Sequence, residues 1–218
     1  MKKILIAVPC MDQVPAPFCQ AISMIRKGEN ECAIAFQMGS LVYTSRNNLG
    51  RKAIEDEFDY IFWLDSDMVF RQDILLKMIE VLDANNLDFL TGLYFRRVAP
   101  FTPVLYEELE VKEDGEGCDW KEFEEIPDQL FEVAGCGFGC ALMKTDVAFE
   151  VQAAFGTMFN PFLGMGEDLA FCWRARQLGY KIYCDPTMEC GHVGYSVVNR
   201  KFYQSFRSVQ DKKEEADV

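Results

Sequence analysis

Short apolar runs alternate with stretches of helical spacing over the first half of the chain. Ile4–Val8 predicts a buried strand. Pro15 and Pro17 stand at the mouth of a helix through Ala21, Ile22 and Ile25 that stops at Gly28. Residues 32–36 predict a second strand, 46–57 a second helix and 59–64 a third strand. From Arg71 onward Ile74, Leu75, Met78, Ile79 and Leu82 recur at the spacing of one buried helix face, with Asp73 in the favourable first turn. A fourth strand follows over 88–94. Nearly all-apolar strands joined by short connections predict a mostly parallel sheet covered by helices on both faces.

The pattern breaks at Pro100. Ten acidic residues fall between Glu107 and Glu125 against two lysines, interrupted by Gly115 and Gly117. This insertion, at about 105–127, reads as a solvated excursion or hairpin. Trp120 and Phe123 within it suggest a flap bordering an acceptor pocket that contributes little to the core. Regularity returns at Leu130. Glycines at 135, 137 and 139 leave one strand face bare, open to a ligand, another backbone or a packed helix. Residues 167–178 predict a helix with Leu169, Cys172 and Trp173 on its buried side, and 180–184 a last strand. One domain over 1–210 is expected, with 211–218 a charged, fraying tail.

Composition narrows the function. A formal net charge of −13 argues against a binder of nucleic-acid backbone, which needs lysine and arginine to displace counterions. Nine cysteines, an odd number and scattered through apolar runs, read as reduced thiols. The opening MKKILIAVPCM meets Pro9 too soon to be a signal peptide, and no apolar run approaches the roughly 20 residues of a bilayer span. A cytoplasmic location is expected, with peripheral membrane contact left open.

The chemistry centres on FWLDSDM. Asp65 and Asp67 lie just past an apolar strand, where ligands of α/β proteins bind. Two carboxylates around one small residue, Ser66, repel unless a cation offsets them, and hard oxygen ligands suit Mn²⁺ or Mg²⁺. The plainer reading is a polar turn with Asp67 near a helix start. Glu167 and Asp168 follow a Gly-rich approach and open a helix. One of the two can cap it, leaving the other as a base aimed at a hydroxyl. The sole histidine, His192, lies between Gly191 and Gly194 in a loop, placed as a third metal ligand with Asp65 and Asp67. A Cys190/His192 zinc site is the minor alternative.

Taken in order, these segments resemble nucleotide-sugar glycosyltransferases of the GT-A fold, close to the family 2-like group, over most of residues 2–193. ILIAVPCMD is similar to the opening strand and nucleotide-binding loop, which implies Pro9 and Asp12 near the donor. SRNNLGRKAI at 45–54 resembles a helix start that implies Arg46 and Asn47 near the nucleotide or its diphosphate. WLDSDM is similar to the D-x-D, with Asp65 and Ser66 toward the ribose and Asp67 on the metal. AGCGFGCALMKTDVAF resembles the glycine-containing strand lining the donor and acceptor sites, which implicates Gly135 and Gly137. GEDLAFCWRARQLGYKIYCDP is the most specific piece and implies Asp168 as the base beside Glu167. GH at 191–192 falls where several relatives place the third metal ligand.

The resemblance implies a metal-dependent transferase moving a sugar from a nucleotide-diphosphate donor, UDP first, to a glycan, lipid-linked or small-molecule hydroxyl acceptor, with inversion. Two departures stand out. The acidic residue usual after the second strand is missing from QMGSLVYTS, with Gln37 or Asp12 as substitutes. The long C-terminal extension of polymer-forming relatives is not seen, so a processive synthase is not expected. A nucleotidyltransferase would show a Gly-rich basic loop after the first strand, unlike PCMDQVPAP. A silent nucleotide- or glycan-binding module would need no base.

Overall fold

A computed structural model describes residues 1–39, 41–194 and 197–216, with the backbone alone for 211–216. In chain order the elements are β1 (Lys3–Cys10), α1 (Ala16–Ser23), β2 (Glu31–Met38), α2 (Val42–Glu55), β3 (Tyr60–Leu64), β4 (Met68–Val69), α3 (Ile74–Ala84) and β5 (Phe89–Leu93). There follow β6 (Leu105–Val111), β7 (Cys118–Glu122), β8 (Phe131–Val133), β9 (Gly135–Cys136), β10 (Cys140–Lys144), α4 (Thr145–Phe155) and α5 (Glu167–Gln177). The last are β11 (Ile182–Glu189), β12 (Gly191–Val193), β13 (Val197–Val198) and α6 (Arg200–Ala216). A seven-stranded sheet ordered β2-β1-β3-β10-β5-β11-β8 forms the centre. Its pairings are parallel for β1 with β2 and β3 and for β5 with β11, while β10 and β8 run against their neighbours. The sheet is thus mostly parallel, as expected.

Alternation along the strands divides the core in two. Ile4, Ile6 and Val8 face a layer with Phe18 of α1 and Ile74, Leu75, Met78 and Leu82 of α3. Leu5 and Ala7 face Leu49 and Ala53 of α2, Val147 and Val151 of α4, and Leu169 and Cys172 of α5. Trp63 anchors this second layer, edge-on to Phe138 and Phe159 at 5.8 and 5.1 Å between centroids, and Phe159 stacks on Phe171 at 4.6 Å. All nine cysteines are free thiols.

Two expectations need correcting. The acidic segment is a hairpin of β6 and β7 joined to β9 in a small sheet, and its inner side belongs to the core. Leu105, Tyr106, Leu109 and Cys118 are buried in the second layer, and Arg176 of α5 donates through Nη1 to the Leu109 carbonyl at 2.8 Å. Its carboxylates point outward, which satisfies their solvation while the alternate residues pack. The expected tail is the end of α6, which runs to Ala216; the last two positions lie outside the described residues. Its first turns are held by aromatic contacts: Tyr203 stacks on Phe95 at 5.0 Å, and Phe202 and Phe206 both meet Phe101 at 4.9 Å.

Candidate active site

The carboxyl end of β3 leads straight into Asp65, whose N–H donates to the Gly139 carbonyl at 3.1 Å. A tight turn follows, with Met68 N–H donating back to the Asp65 carbonyl at 3.2 Å, and β4 then pairs antiparallel with β12. That pairing sets His192 opposite Met68, and Val193 N–H donates to the Asp67 carbonyl at 2.8 Å. A ladder between two short strands thereby brings His192 back to the second aspartate, 125 positions earlier in the chain.

These residues line a cleft of about 320 Å³ with Pro9, Cys10, Met11, Val42, Ser45, Arg46, Ser66, Arg97 and Glu167. His192 Nε2 lies 3.3 Å from Asp67 Oδ2, while Nδ1 meets the Phe95 carbonyl at 2.9 Å. The carbonyl accepts only if Nδ1 carries the proton, which leaves the Nε2 lone pair facing Asp67 when the ring is neutral. Arg97 Nη1 reaches the same Asp67 oxygen at 2.5 Å. Burial works against the Asp67 charge, but His192 and Arg97 prevail and hold its carboxyl below the usual range. Burial also opposes protonation of His192, yet Asp67 and the Phe95 carbonyl raise its pKa overall.

Arg46 is the other fixed charge. It projects from α2 and is 3% exposed, with Nη2 donating to Asp65 Oδ1 at 2.9 Å and Nε 3.6 Å from Glu167 Oε1. Its guanidinium lies over the Phe138 ring at 5.3 Å. Nε and Nη1 are buried without a hydrogen-bond partner among the described residues. A buried guanidinium with unused donors at a cleft wall can receive an anion.

Glu167 and Asp168 take different positions at the start of α5. Glu167 faces the cleft. Asp168 lies behind it and accepts from Leu169 N–H at 2.8 Å. Burial, then Glu167 beside it, push Asp168 up to about 6 against the pull of Arg46. A carboxyl tuned there is poised for proton transfer near neutral pH.

Other expected site residues are engaged elsewhere. Asn47 is turned away from the cleft: its Oδ1 accepts from Met158 and Phe159 N–H at 3.2 and 3.0 Å, and its Nδ2 donates to Asn160 at 2.8 Å. It holds a loop and not a nucleotide, because its helix position faces α4 and the 158–160 segment. Gly135 and Gly137 do not open a face to ligand either. A Cβ at Gly135 would strike Leu169 Cδ2 at 2.8 Å, and one at Gly137 would overlap the Tyr94 hydroxyl, so both glycines make room for side chains. Asp12 sits in an exposed loop and does not line the cleft. Asp65 is drawn to Arg46, so the three-ligand set of Asp65, Asp67 and His192 is not assembled. Among the described residues no three His, Cys, Asp or Glu side chains form a ready-made metal cage. The acidic hairpin contributes nothing to the lining.

The pair Asp67 and His192 nevertheless fits a Mn²⁺ or Mg²⁺ ion. One hard carboxylate and one imidazole, oriented through its far nitrogen by a carbonyl, leave coordination positions for phosphate oxygens and water. Sequence reasoning missed Arg97, Ser45, Val42, Cys10 and Met11. The signal for Arg97 was a basic pair, Arg96-Arg97, just past the fourth strand of an otherwise acidic chain.

No protein-family model matches the sequence, and no curated protein matches it. Solved structures do match in fold. A197 from STIV superposes with a TM-score of 0.63 at 21% identity, covering 88% of this chain and 86% of that one. GalNAc-T7, solved with UDP, GalNAc and Mn²⁺, superposes with a TM-score of 0.61 at 7% identity, covering 89% of this chain. This chain spans 44% of that protein's length. At such identities the likeness is one of fold alone. Among the described residues no helix is long and apolar enough to cross a membrane.

Proposed function

We propose that this chain is a metal-dependent glycosyltransferase that moves a sugar from a UDP-linked donor to a hydroxyl acceptor with inversion at the anomeric carbon. The observation that carries the reading is one cleft lined by Asp67 beside His192, by the unused donors of buried Arg46 and by Glu167, with Asp168, its carboxyl pushed up to about 6, next to Glu167 behind that wall. The glycosyltransferase-like fold supports it, as does a neighbour solved with UDP and Mn²⁺.

Asp67 and His192 would hold Mn²⁺ or Mg²⁺, which on binding neutralises charge on the leaving diphosphate. Arg46 receives a diphosphate oxygen through Nε and Nη1, donors already desolvated and fixed before substrate arrives. Pro9, Met11 and Val42 offer an apolar wall to the nucleoside, and Ser66 and Asp65 lie toward the ribose. Asp168 accepts the acceptor hydroxyl proton as that oxygen bonds to the anomeric carbon and the bond to diphosphate breaks. Glu167 faces the cleft and helps keep Asp168 basic. The acceptor is a glycan, lipid-linked or small-molecule hydroxyl.

Incubation with UDP-sugars and Mn²⁺ in the absence of acceptor tests the reading. Slow UDP release is expected. Pyrophosphate release from UTP and a sugar phosphate would assign the cleft to nucleotidyl transfer instead, and a product of retained configuration by NMR would remove the inverting role of Asp168. Thermal shifts with UDP, GDP, CDP and dTDP, each with and without Mn²⁺, should rank UDP first.

A further inference from the structure

The two aspartates of the D-x-D are each paired with an arginine, but the two arginines differ in kind. Arg46 is buried, stacked on Phe138 and fixed by Asp65 and Glu167. Arg97 has a side chain 54% exposed and makes its hydrogen bond to Asp67 Oδ2, the oxygen that also faces His192 Nε2. It stands where two cavities meet, lining both the main cleft and a second one with Pro15, Val98, Val193 and Gly194.

The segment bearing Arg97 is anchored on both sides. The Phe95 carbonyl meets His192 and the Phe95 ring stacks on Tyr203. Arg96 points the opposite way, donating to the Tyr106 hydroxyl at 3.0 Å and pairing with Glu122 at 2.5 Å. Arg96 N–H donates to the Thr102 carbonyl at 2.9 Å, and Phe101 is wedged between Phe202 and Phe206 of α6. The backbone at Arg97 is therefore held while its side chain remains in solvent. The Arg97 end of the pair is half-exposed and screened by solvent, so a divalent ion at Asp67 can displace it at modest cost.

Resting on the metal-dependent reading above, we propose that Arg97 is a built-in counter-cation for Asp67. It occupies the carboxylate until a divalent cation takes that oxygen, and the displaced guanidinium then meets the donor diphosphate at the cleft mouth. The exchange holds the Asp67 carboxylate in place before a cation binds. It also couples cation and nucleotide binding, because the group that competes with the first assists the second.

Mn²⁺ titration of the nucleotide-free protein, followed by calorimetry or by the electron paramagnetic resonance of free ion, tests this without turnover. Arg97→Gln should bind Mn²⁺ roughly tenfold tighter than the wild type, and UDP at saturating Mn²⁺ roughly tenfold weaker. Arg97→Lys, which restores the charge, should move both values back toward the wild type. Unchanged or weaker Mn²⁺ binding by Arg97→Gln, with Asp67→Asn losing the ion, would overturn the counter-cation alone. Mn²⁺ binding that survives Asp67→Asn would overturn it together with the metal assignment on which it rests.

Discussion

Arg46 Nη2 donates to Asp65 Oδ1 at 2.9 Å, and through that bond helix α2 is tied to the end of strand β3. The same guanidinium is the nearest compensating charge for Glu167 and Asp168, so one buried cation serves three carboxylates. Its removal should be felt in stability, in nucleotide binding and in the titration of Asp168.

Arg46→Gln should lower unfolding free energy by about 3–5 kcal/mol, the usual cost of stripping a buried charge cluster of one sign. Urea denaturation at neutral pH measures it. The loss should shrink in acid, where protonated carboxyls no longer need the cation.

Asp168 binds its proton more tightly in the folded protein than in the unfolded chain. Its contribution to stability is therefore fully present below about pH 4, the ordinary carboxyl value, and is lost as pH rises through about 6. Asp168→Asn should raise stability at pH 7 by up to about 3 kcal/mol, with no gain at pH 4, in paired thermal melts. On the proposed reading it should abolish transfer while UDP and Mn²⁺ still bind. Wild-type turnover should fall below about pH 6 as the base becomes protonated.

Tyr94 accepts from Gly139 N–H at 3.0 Å and fills the space beside Gly137. Gly137→Ala should cost about 1–3 kcal/mol or more, since Tyr94 and Val104 both crowd the new methyl. Because the tyrosine hydroxyl is the nearest obstacle, Gly137→Ala combined with Tyr94→Phe should cost less than the sum of the single changes. Denaturation of the four proteins of that cycle decides it.

The acidic hairpin should behave as two faces of one sheet. Leu109→Ala should cost about 2–5 kcal/mol, because the side chain is fully buried against α5. Trp120→Ala, at a half-exposed position, should stay within about 0.5 kcal/mol of the wild type. Chemical denaturation compares them, and equal small effects would restore the picture of a solvated flap.

Local pattern determined most of the central sheet. Apolar runs at 4–8, 59–64 and 88–94 became β1, β3 and β5, since a strand buried on both faces must be apolar at successive positions, while the run at 32–36 became β2, an edge strand that stays partly exposed. The same pattern placed Asp65, Ser66, Asp67, Arg46 and Glu167 at strand and helix ends bordering one cleft. Tertiary structure alone decided how those residues are used. Whether a bare glycine face receives a ligand or Tyr94, and whether Asn47 meets a nucleotide or the 158–160 backbone, depends on which distant side chain arrives there. The hairpin deceived for a related reason: its abundant charges mark a solvated face, while only register shows that Leu109 and Cys118 point inward. Arg97 and His192 converge on Asp67 because β4 pairs with β12 and Phe101 is gripped by α6. These are contacts between segments far apart in sequence, which no local periodicity encodes.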